Sequence, residues 1–150
     1  MAERVAIDCK FYYNTGTIAT PVWVLITNVR DVTVSQDWEK AEFKTRARKE
    51  KRFRKTLLER AIEFQMEHNP SNAAENTAWE LFQAASESQT STIICAALDG
   101  LVATSGVQGL HAEFQVDKFQ INQELEDAEL FDVSLSLALS DEEPEWLVIP

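Results

Sequence analysis

The sequence contains little glycine, proline or cysteine, and it has no long apolar run. Four glycines and four prolines in 150 residues argue against a low-complexity or disordered chain. The two cysteines, Cys9 and Cys95, are far apart, so no disulfide framework is indicated and a reducing compartment is favoured. No apolar stretch approaches the roughly 20 residues that span a bilayer, and the N-terminus lacks the pattern of a secretory signal. These absences predict a soluble protein that does not associate with membranes.

The sequence also lacks the motifs that carry catalytic chemistry. It has no Gly-x-Ser-x-Gly elbow, phosphate-binding glycine loop or dinucleotide fingerprint. The two histidines, His68 and His111, have no ligand at metal-binding spacing, and His111 is expected to be exposed or at an interface because it points away from the apolar face of its strand. Acidic clusters at 124–129 and 141–143 are typical of solvated loops, the alternative being a cation site. We therefore expect no enzymatic activity, cofactor or metal.

Charge is divided unevenly along a chain whose length predicts one domain, residues 1–150. Residues 40–60 hold ten of the fourteen basic residues and three glutamates, a net +7, which leaves −18 for the remainder of a chain of net charge −11. Such a chain is electrostatically complementary to copies of itself. The alternatives are a solvated basic loop without a partner and a nucleic-acid contact. The basic residues that we assign to a long inter-strand loop are Arg46, Arg48, Lys49, Lys51, Arg52, Arg54 and Lys55.

Apolar and polar residues alternate along much of the chain, which is typical of half-buried antiparallel strands. In one run Ile62, Phe64 and Met66 share a face, and in a later run the alternation slips at Asp117 and Lys118, which indicates a β-bulge. The expected fold is mainly β, with two packed antiparallel sheets forming a sandwich or small barrel. We predict strands near residues 22–28, 31–36, 41–46, 56–68, 91–98, 109–122 and 130–139.

A single helix is predicted between the fourth and fifth strands. Asn72 is suited to cap it, and Glu75 three residues later would complete a capping box. Apolar residues follow at the spacing i, i+3, i+4 and i+7 until the pattern fades at 86–88. Because a lone helix of about 14 residues is marginal in water, we expect this helix to flank the sheets. Its apolar stripe comprises Ala78, Leu81, Phe82 and Ala85.

The order of elements carries a family resemblance, which is firmest in the last third of the chain. There, a glycine turn opens the alternating strand of 104–116, a second strand follows at 132–139, and Glu-Pro-Glu-Trp lies near the end at 143–146. Upstream, the strand at 61–66, one helix and the turn at 98–100 keep the same order. The sequence resembles the tail tube (major tail) proteins of long-tailed bacteriophages and gene transfer particles from about Val32 to Trp146.

The resemblance implies a structural subunit with two packed sheets and a flanking helix. It also implies that copies of the subunit close into hexameric rings, and that the rings stack head-to-tail into a hollow tube for DNA delivery. In such proteins the long excursion between strands, here 46–55, reaches a neighbouring subunit or ring. The implied partners are other copies, the tail tip, terminator and tape-measure proteins, and DNA that passes without sequence-specific binding. The implied location is the virion tail, after synthesis in the host cytoplasm. The alternatives are a small nucleic-acid-binding module using 46–55 and the tube of a contractile injection system.

Overall fold

The computed structural model describes residues 5, 9–47, 49–123, 125, 129–140 and 142–150. Within these ranges the chain forms eight strands and one helix. In chain order they are β1 (Lys10–Asn14), β2 (Trp23–Ile26), β3 (Val29–Phe43), β4 (Arg52–Glu67), α1 (Ala73–Glu87), β5 (Ile93–Leu98), β6 (Gln108–Asn122), β7 (Leu130–Leu137) and β8 (Glu145–Val148).

All eight strands belong to one antiparallel sheet that is not closed. Its order is β2-β1-β5-β6-β7-β4-β3, so β2 and β3 form its two ends. The first half of β6 pairs with β5 on one side and β8 on the other, and its second half pairs with β7. We call β2, β1, β5, β8 and the first half of β6 the β1 layer. The second half of β6 with β7, β4 and β3 is the β4 layer.

The two layers face each other. The rings of Phe11 in β1 and Phe64 in β4 have centroids 5.0 Å apart, although three strands separate β1 from β4 in the sheet. In a flat sheet, strands at this separation would lie about 19 Å apart, at roughly 4.8 Å per strand. The sheet therefore bends back on itself through β6, which confirms the predicted mainly β, sandwich-like fold of packed antiparallel layers with one flanking helix.

The main hydrophobic core lies between the two layers and beneath α1. The helix packs the Phe82 ring edge-to-face against Phe64, with centroids 5.4 Å apart. As predicted, Ile62, Phe64 and Met66 are buried together, and Cys95 is a buried core residue. The small residue at Gly109 permits close strand approach in the β1 layer, since a Cβ there would lie 1.8 Å from the Ala97 carbonyl oxygen.

Helix α1 forms where the sequence predicts it, with two differences. Asn72 Oδ1 accepts hydrogen bonds from the backbone N–H groups of Ala74 (3.1 Å) and Glu75 (3.3 Å). The Glu75 carboxylate does not complete the capping box but accepts from the side chains of Thr27 and Asn69 instead. The predicted stripe is buried apart from Leu81, which is exposed. Among the described residues, no helix has the length and hydropathy needed to cross a membrane.

The strand predictions differ from the structure in four places. Strands β1 and β8 were not expected, and the strands predicted near 31–36 and 41–46 are one continuous strand, β3. Strand β4 begins at Arg52 rather than near 56, so the connection between β3 and β4 covers only 44–51. The β-bulge expected at Asp117 and Lys118 is confirmed by a shift in the β6–β7 register between Val116 and Lys118.

Candidate assembly surfaces

The hairpin of β3 and β4 extends beyond the body of the subunit. Strand β4 pairs with β7 only from Ala61 onward, whereas it pairs with β3 as far as Arg52. Among the strand pairings of the described residues, segments 36–43 and 52–60 therefore pair only with each other. We call these two segments the ribbon. A two-stranded ribbon is marginally stable at best in water, so contacts from outside the subunit would stabilise it.

The predicted basic loop is divided between two elements, because pairing with β3 orders its second half. The loop is therefore shorter than the expected 46–55, and all of its described basic side chains are exposed. Arg48 lies outside the described residues. Arg46, Lys49 and Lys51 lie in the connection at the tip of the ribbon, and Arg52, Arg54 and Lys55 lie in β4.

The ribbon has two chemically different faces. Trp38 lies opposite Leu58 in the strand register, on the face that continues the core side of β4. The ammonium nitrogen of Lys55 lies 5.4 Å from the centre of the Trp38 ring, a cation–π contact. Trp38 and Phe53 are 43% and 58% exposed. We call this side the aromatic face; it comprises Gln36, Trp38, Lys40, Glu42, Phe53, Lys55, Leu58 and Arg60.

The opposite ribbon face offers a matched comparison. Phe43 pairs with Arg52 there and is 53% exposed, close to the exposure of Phe53. The same face carries Ala41 opposite Arg54 and Asp37 opposite Glu59. Two phenylalanines of similar exposure therefore lie in one ribbon but point to opposite sides.

The outer side of the β4 layer is polar and acidic. Its residues alternate with the buried core positions of β4 and β7 and are mostly carboxylates, hydroxyls and amides. The cations Arg30 and Lys118 lie on this side, and Arg30 is within 3.7 Å of the Glu67 carboxylate. We call this side the polar face. Its acidic residues in the body are Glu63, Glu67 and Asp132, and along the ribbon the same side continues with Asp37, Glu59, Arg52 and Arg54.

An apolar groove opens between the start of the β3–β4 hairpin and one end of the β1 layer. It has a volume of about 1000 Å³ and lies between the first residues of β3 and the ends of β1, β2, β5 and β6. Leu25, Val32, Val34 and Trp146 line it and are 36%, 38%, 38% and 52% exposed. Cys9, an exposed free thiol, also lines the groove. This groove and the ribbon together hold all the exposed tryptophans of the described chain.

The prediction that His111 is exposed or at an interface is wrong, since its side chain is fully buried. It does point away from the Phe114 side of β6, but Trp23 and β8 cover that side. The Trp23 and His111 rings have centroids 4.8 Å apart. His111 Nδ1 lies 2.7 Å from Glu145 Oε1, and its Nε2 lies 3.3 Å from Asn14 Nδ2.

No group of three or more histidine, cysteine, aspartate or glutamate side chains suited to a metal occurs among the residues that the structure describes. His68 stacks on Trp79, with centroids 3.9 Å apart, and its Nε2 contacts Asn76. The predicted acidic clusters are not fully covered by the structure. Glu124, Glu126, Asp127 and Asp141 lie outside the described residues.

This open antiparallel sheet, bent into two layers with one helix, is shared with solved tail structures. The tail of an empty gene transfer agent particle, with C6 symmetry, matches with a TM-score of 0.67 at 7% identity, covering 97% of this chain and 100% of the other. The SPP1 tail tube matches with a TM-score of 0.67 at 11% identity, covering 89% and 75%. The baseplate of the anti-feeding prophage matches with a TM-score of 0.54 at 8% identity, covering 94% and 91%.

The chain therefore has the fold of phage-type tail tube structures, which confirms at the level of fold the resemblance seen in the sequence. No protein-family model matches the chain, and no curated protein matches it. The match to the solved structures is thus one of strand arrangement, at 7% and 11% sequence identity.

Proposed function

We propose that this chain is the structural subunit of a phage-type tail tube. Copies would close into rings, and the rings would stack head-to-tail into a hollow tube through which DNA is delivered. The observation that carries this proposal is the ribbon, a strand pair that projects from a tail-tube fold with exposed aromatic and basic side chains. A subunit that functions alone has no use for such a surface, whereas a self-assembling one needs it.

The ribbon would contact a neighbouring subunit or ring. Its basic tip and strand residues carry the positive charge of a chain that is otherwise strongly acidic, so attraction between copies would steer the ribbon onto the next subunit. A head-to-tail contact of this kind, repeated along an axis, generates an open filament rather than a closed dimer. The C6 symmetry of the gene transfer agent tail makes six subunits per ring the natural expectation.

The polar face is suited to line the channel. Its carboxylates would repel the phosphates of passing DNA, so the nucleic acid would slide without being held. Its serine hydroxyls, for example Ser134 and Ser136, offer no stacking surface for bases and no positive charge. DNA would be cargo, with no sequence-specific contact.

As a tail subunit, the chain would have a structural role without catalysis or a cofactor. Its partners would be its own copies and the tail tip, terminator and tape-measure proteins, and its location would be the virion tail after synthesis in the host cytoplasm. Tubes of contractile systems share this architecture. A sheath that assembles around the tube would distinguish a contractile system from a long flexible tail.

Assembly is tested by negative-stain electron microscopy of the purified protein at high concentration. Hollow tubes or stacked rings are expected. Reversing the charge at Arg48, Lys49, Arg52 and Arg54 by substitution with glutamate should leave a folded subunit by circular dichroism and abolish the tubes. The control is Lys118→Glu, which reverses a cation of β6 outside the ribbon and should assemble. Normal tubes from the quadruple variant would exclude the basic residues as an inter-subunit contact.

The composition of the aromatic face favours a second candidate function, the binding of nucleic acid. The aromatic face combines Trp38 and Phe53 with three cations, and such a combination suits base stacking and phosphate contact. In a titration with duplex DNA, roughly six phosphate contacts would give a slope near −5 for log affinity against log salt. A tube subunit should bind weakly or not at all. Tight, salt-dependent binding by particles that never assemble would replace the tail-tube proposal with a nucleic-acid-binding module.

A further inference from the structure

The aromatic face of the ribbon continues the core side of the subunit without any cover. In the β3–β4 register, Ile62 faces Val34, Arg60 faces Gln36 and Leu58 faces Trp38. Ile62 is fully buried by the core, yet Trp38 and Phe53, further along the same side, are about half exposed. This side of the hairpin therefore changes from a buried core surface to an exposed surface of aromatic and charged side chains along one pair of strands.

The ribbon cannot fill the groove of its own subunit. Val34 lines the groove. Trp38 lies on the same side of β3, four residues further along the strand. At the usual rise of a β-strand, Trp38 is therefore about 13 Å from Val34. Strand β3 is continuous from Val29 to Phe43, so the ribbon runs away from the groove that its own first residues build. An occupant of the groove must come from elsewhere.

A second copy of the chain has the chemistry that fits the groove. The groove combines apolar side chains with Lys10, Arg30, Asp31 and Asp99 in its lining, so it suits a ridge that mixes aromatic and charged side chains. The aromatic face of the ribbon supplies such a ridge. Outside the groove, charge also favours contact between copies. Residues 40–60 carry a net charge of +7 and the rest of the chain carries −18, so the basic segment of one copy is attracted to the acidic remainder of another.

We propose that the aromatic face of the ribbon docks into the apolar groove of a second copy, with Trp38 and Phe53 as its anchors. This inference rests on the proposed tail-tube function and identifies the surface that receives the ribbon. Ridge and groove lie on different parts of the subunit, so the contact is heterologous and each copy both gives a ribbon and receives one. The basic residues steer the encounter, and the aromatic side chains hold the contact.

The first test compares two matched variants, Phe53→Ala and Phe43→Ala. Both remove a phenylalanine of similar exposure from the ribbon, but only Phe53 lies on the aromatic face. Phe53→Ala is expected to raise the subunit concentration at which tubes appear by about 30-fold or more, the effect of losing an interface anchor. Phe43→Ala should assemble within a few-fold of the unmodified chain. Equal effects of the two substitutions would overturn the assignment of the docking face.

The second test uses the native thiol in the groove. Glu42→Cys introduces a thiol opposite Phe53 on the aromatic face and keeps both anchors. Mild oxidation of assembled tubes should link this thiol to Cys9 of the next copy. Because each subunit then carries one thiol of each kind, a head-to-tail contact gives a ladder of covalent multimers on a denaturing gel, whereas a two-fold contact stops at dimers. Adding Cys9→Ser should remove the ladder.

The outcomes separate this inference from the proposed function. Tubes that form without a ladder dependent on Cys9 would overturn the groove as the docking site and leave the tail-tube function in place. Absence of tubes from the unmodified chain under all concentrations tested would count against the tail-tube function itself, and the inference would fall with it.

Discussion

Asn14 is predicted to be the polar side chain on which the β1 layer depends most. It is buried, and its Oδ1 accepts hydrogen bonds from the backbone N–H groups of Gly16 (2.7 Å) and Val22 (2.8 Å). Its Nδ2 donates to the carbonyl oxygen of Thr17 at 2.9 Å and approaches His111 Nε2 at 3.3 Å. One amide therefore closes the β1–β2 turn and fixes a buried histidine of β6.

The orientation of Asn14 determines the protonation state of His111. Because two backbone donors occupy Oδ1, the amide nitrogen must face the histidine, and His111 Nε2 must accept its hydrogen bond. The ring proton then lies on Nδ1 and is donated to Glu145 Oε1. His111 is therefore a neutral Nδ1–H tautomer that joins β1, β6 and β8. Two-bond ¹H–¹⁵N correlations of the ring should display this tautomer, and an Nε2–H pattern would contradict the assignment.

Substituting Asn14 with alanine should cost about 3 kcal/mol of unfolding free energy. Four hydrogen bonds are lost, each worth roughly 0.5–1.5 kcal/mol net, and the buried His111 Nε2 loses its partner, while the turn N–H groups near the surface recruit water. For a domain of this size the loss lowers Tm by about 6–12 °C. Asn122→Ala, whose amide donates to Asp132 at a partly exposed site, is the control and should cost less than about 1 kcal/mol.

Thermal and denaturant unfolding followed by circular dichroism provide the measurement, at a protein concentration below that of assembly. A loss for Asn14→Ala of less than about 1 kcal/mol, equal to that of the control, would refute the reasoning that this amide supports the β1 layer. Retention of the His111 tautomer in the variant would refute the further claim that Asn14 fixes the ring.

Two other expectations concern the core. Phe114→Asp places a carboxylate without a partner at a fully buried position and should abolish the cooperative melt, whereas Phe43→Asp on the exposed ribbon should keep it. Burial raises the pKa of the Cys95 thiol, and only the thiolate form of cysteine reacts. A thiol reagent should therefore label Cys9 alone in the native protein and both cysteines in denaturant. Labelling of both cysteines in the native protein would contradict the burial of Cys95.

The strands with one buried face were the most readily predicted from the sequence, and some of those with two buried faces or none were missed in whole or in part. Alternation at Ile62, Phe64 and Met66 predicts β4 because one side of that strand is buried and the other is solvated. Strand β1 reads Phe-Tyr-Tyr without alternation, since Phe11 and Tyr12 point to opposite sides and both are buried. The outer part of β3 is exposed on both sides, so alternation there is weak and residues 37–40, which join the two predicted strands, were missed.

The candidate surfaces were only partly predictable for the same physical reason. Clustered charge in 40–60 is visible in the sequence and indicates a contact segment. The groove is not visible, because it brings the β2–β3 segment together with residues of β1, β5, β6 and β8 that are distant in sequence. His111 was expected at the surface because a polar residue alternating with apolar ones normally faces solvent. In the structure, Trp23 and β8 cover His111. These covering residues are distant from His111 in sequence, so the local pattern around it could not indicate that it is buried.

Under the proposed function, folding and assembly would use separate parts of this chain. The residues buried between the layers lie in the body, and the ribbon residues from 36 to 43 and from 52 to 60 contribute little to that core. Substitutions in the ribbon should therefore change assembly at nearly constant stability, while substitutions in the core should remove both together. A subunit built in this way would fold before it assembles, because its core lies within the body and the ribbon adds little to it. Cations beside the exposed aromatic face would repel one another between ribbons until the groove of a second copy receives them.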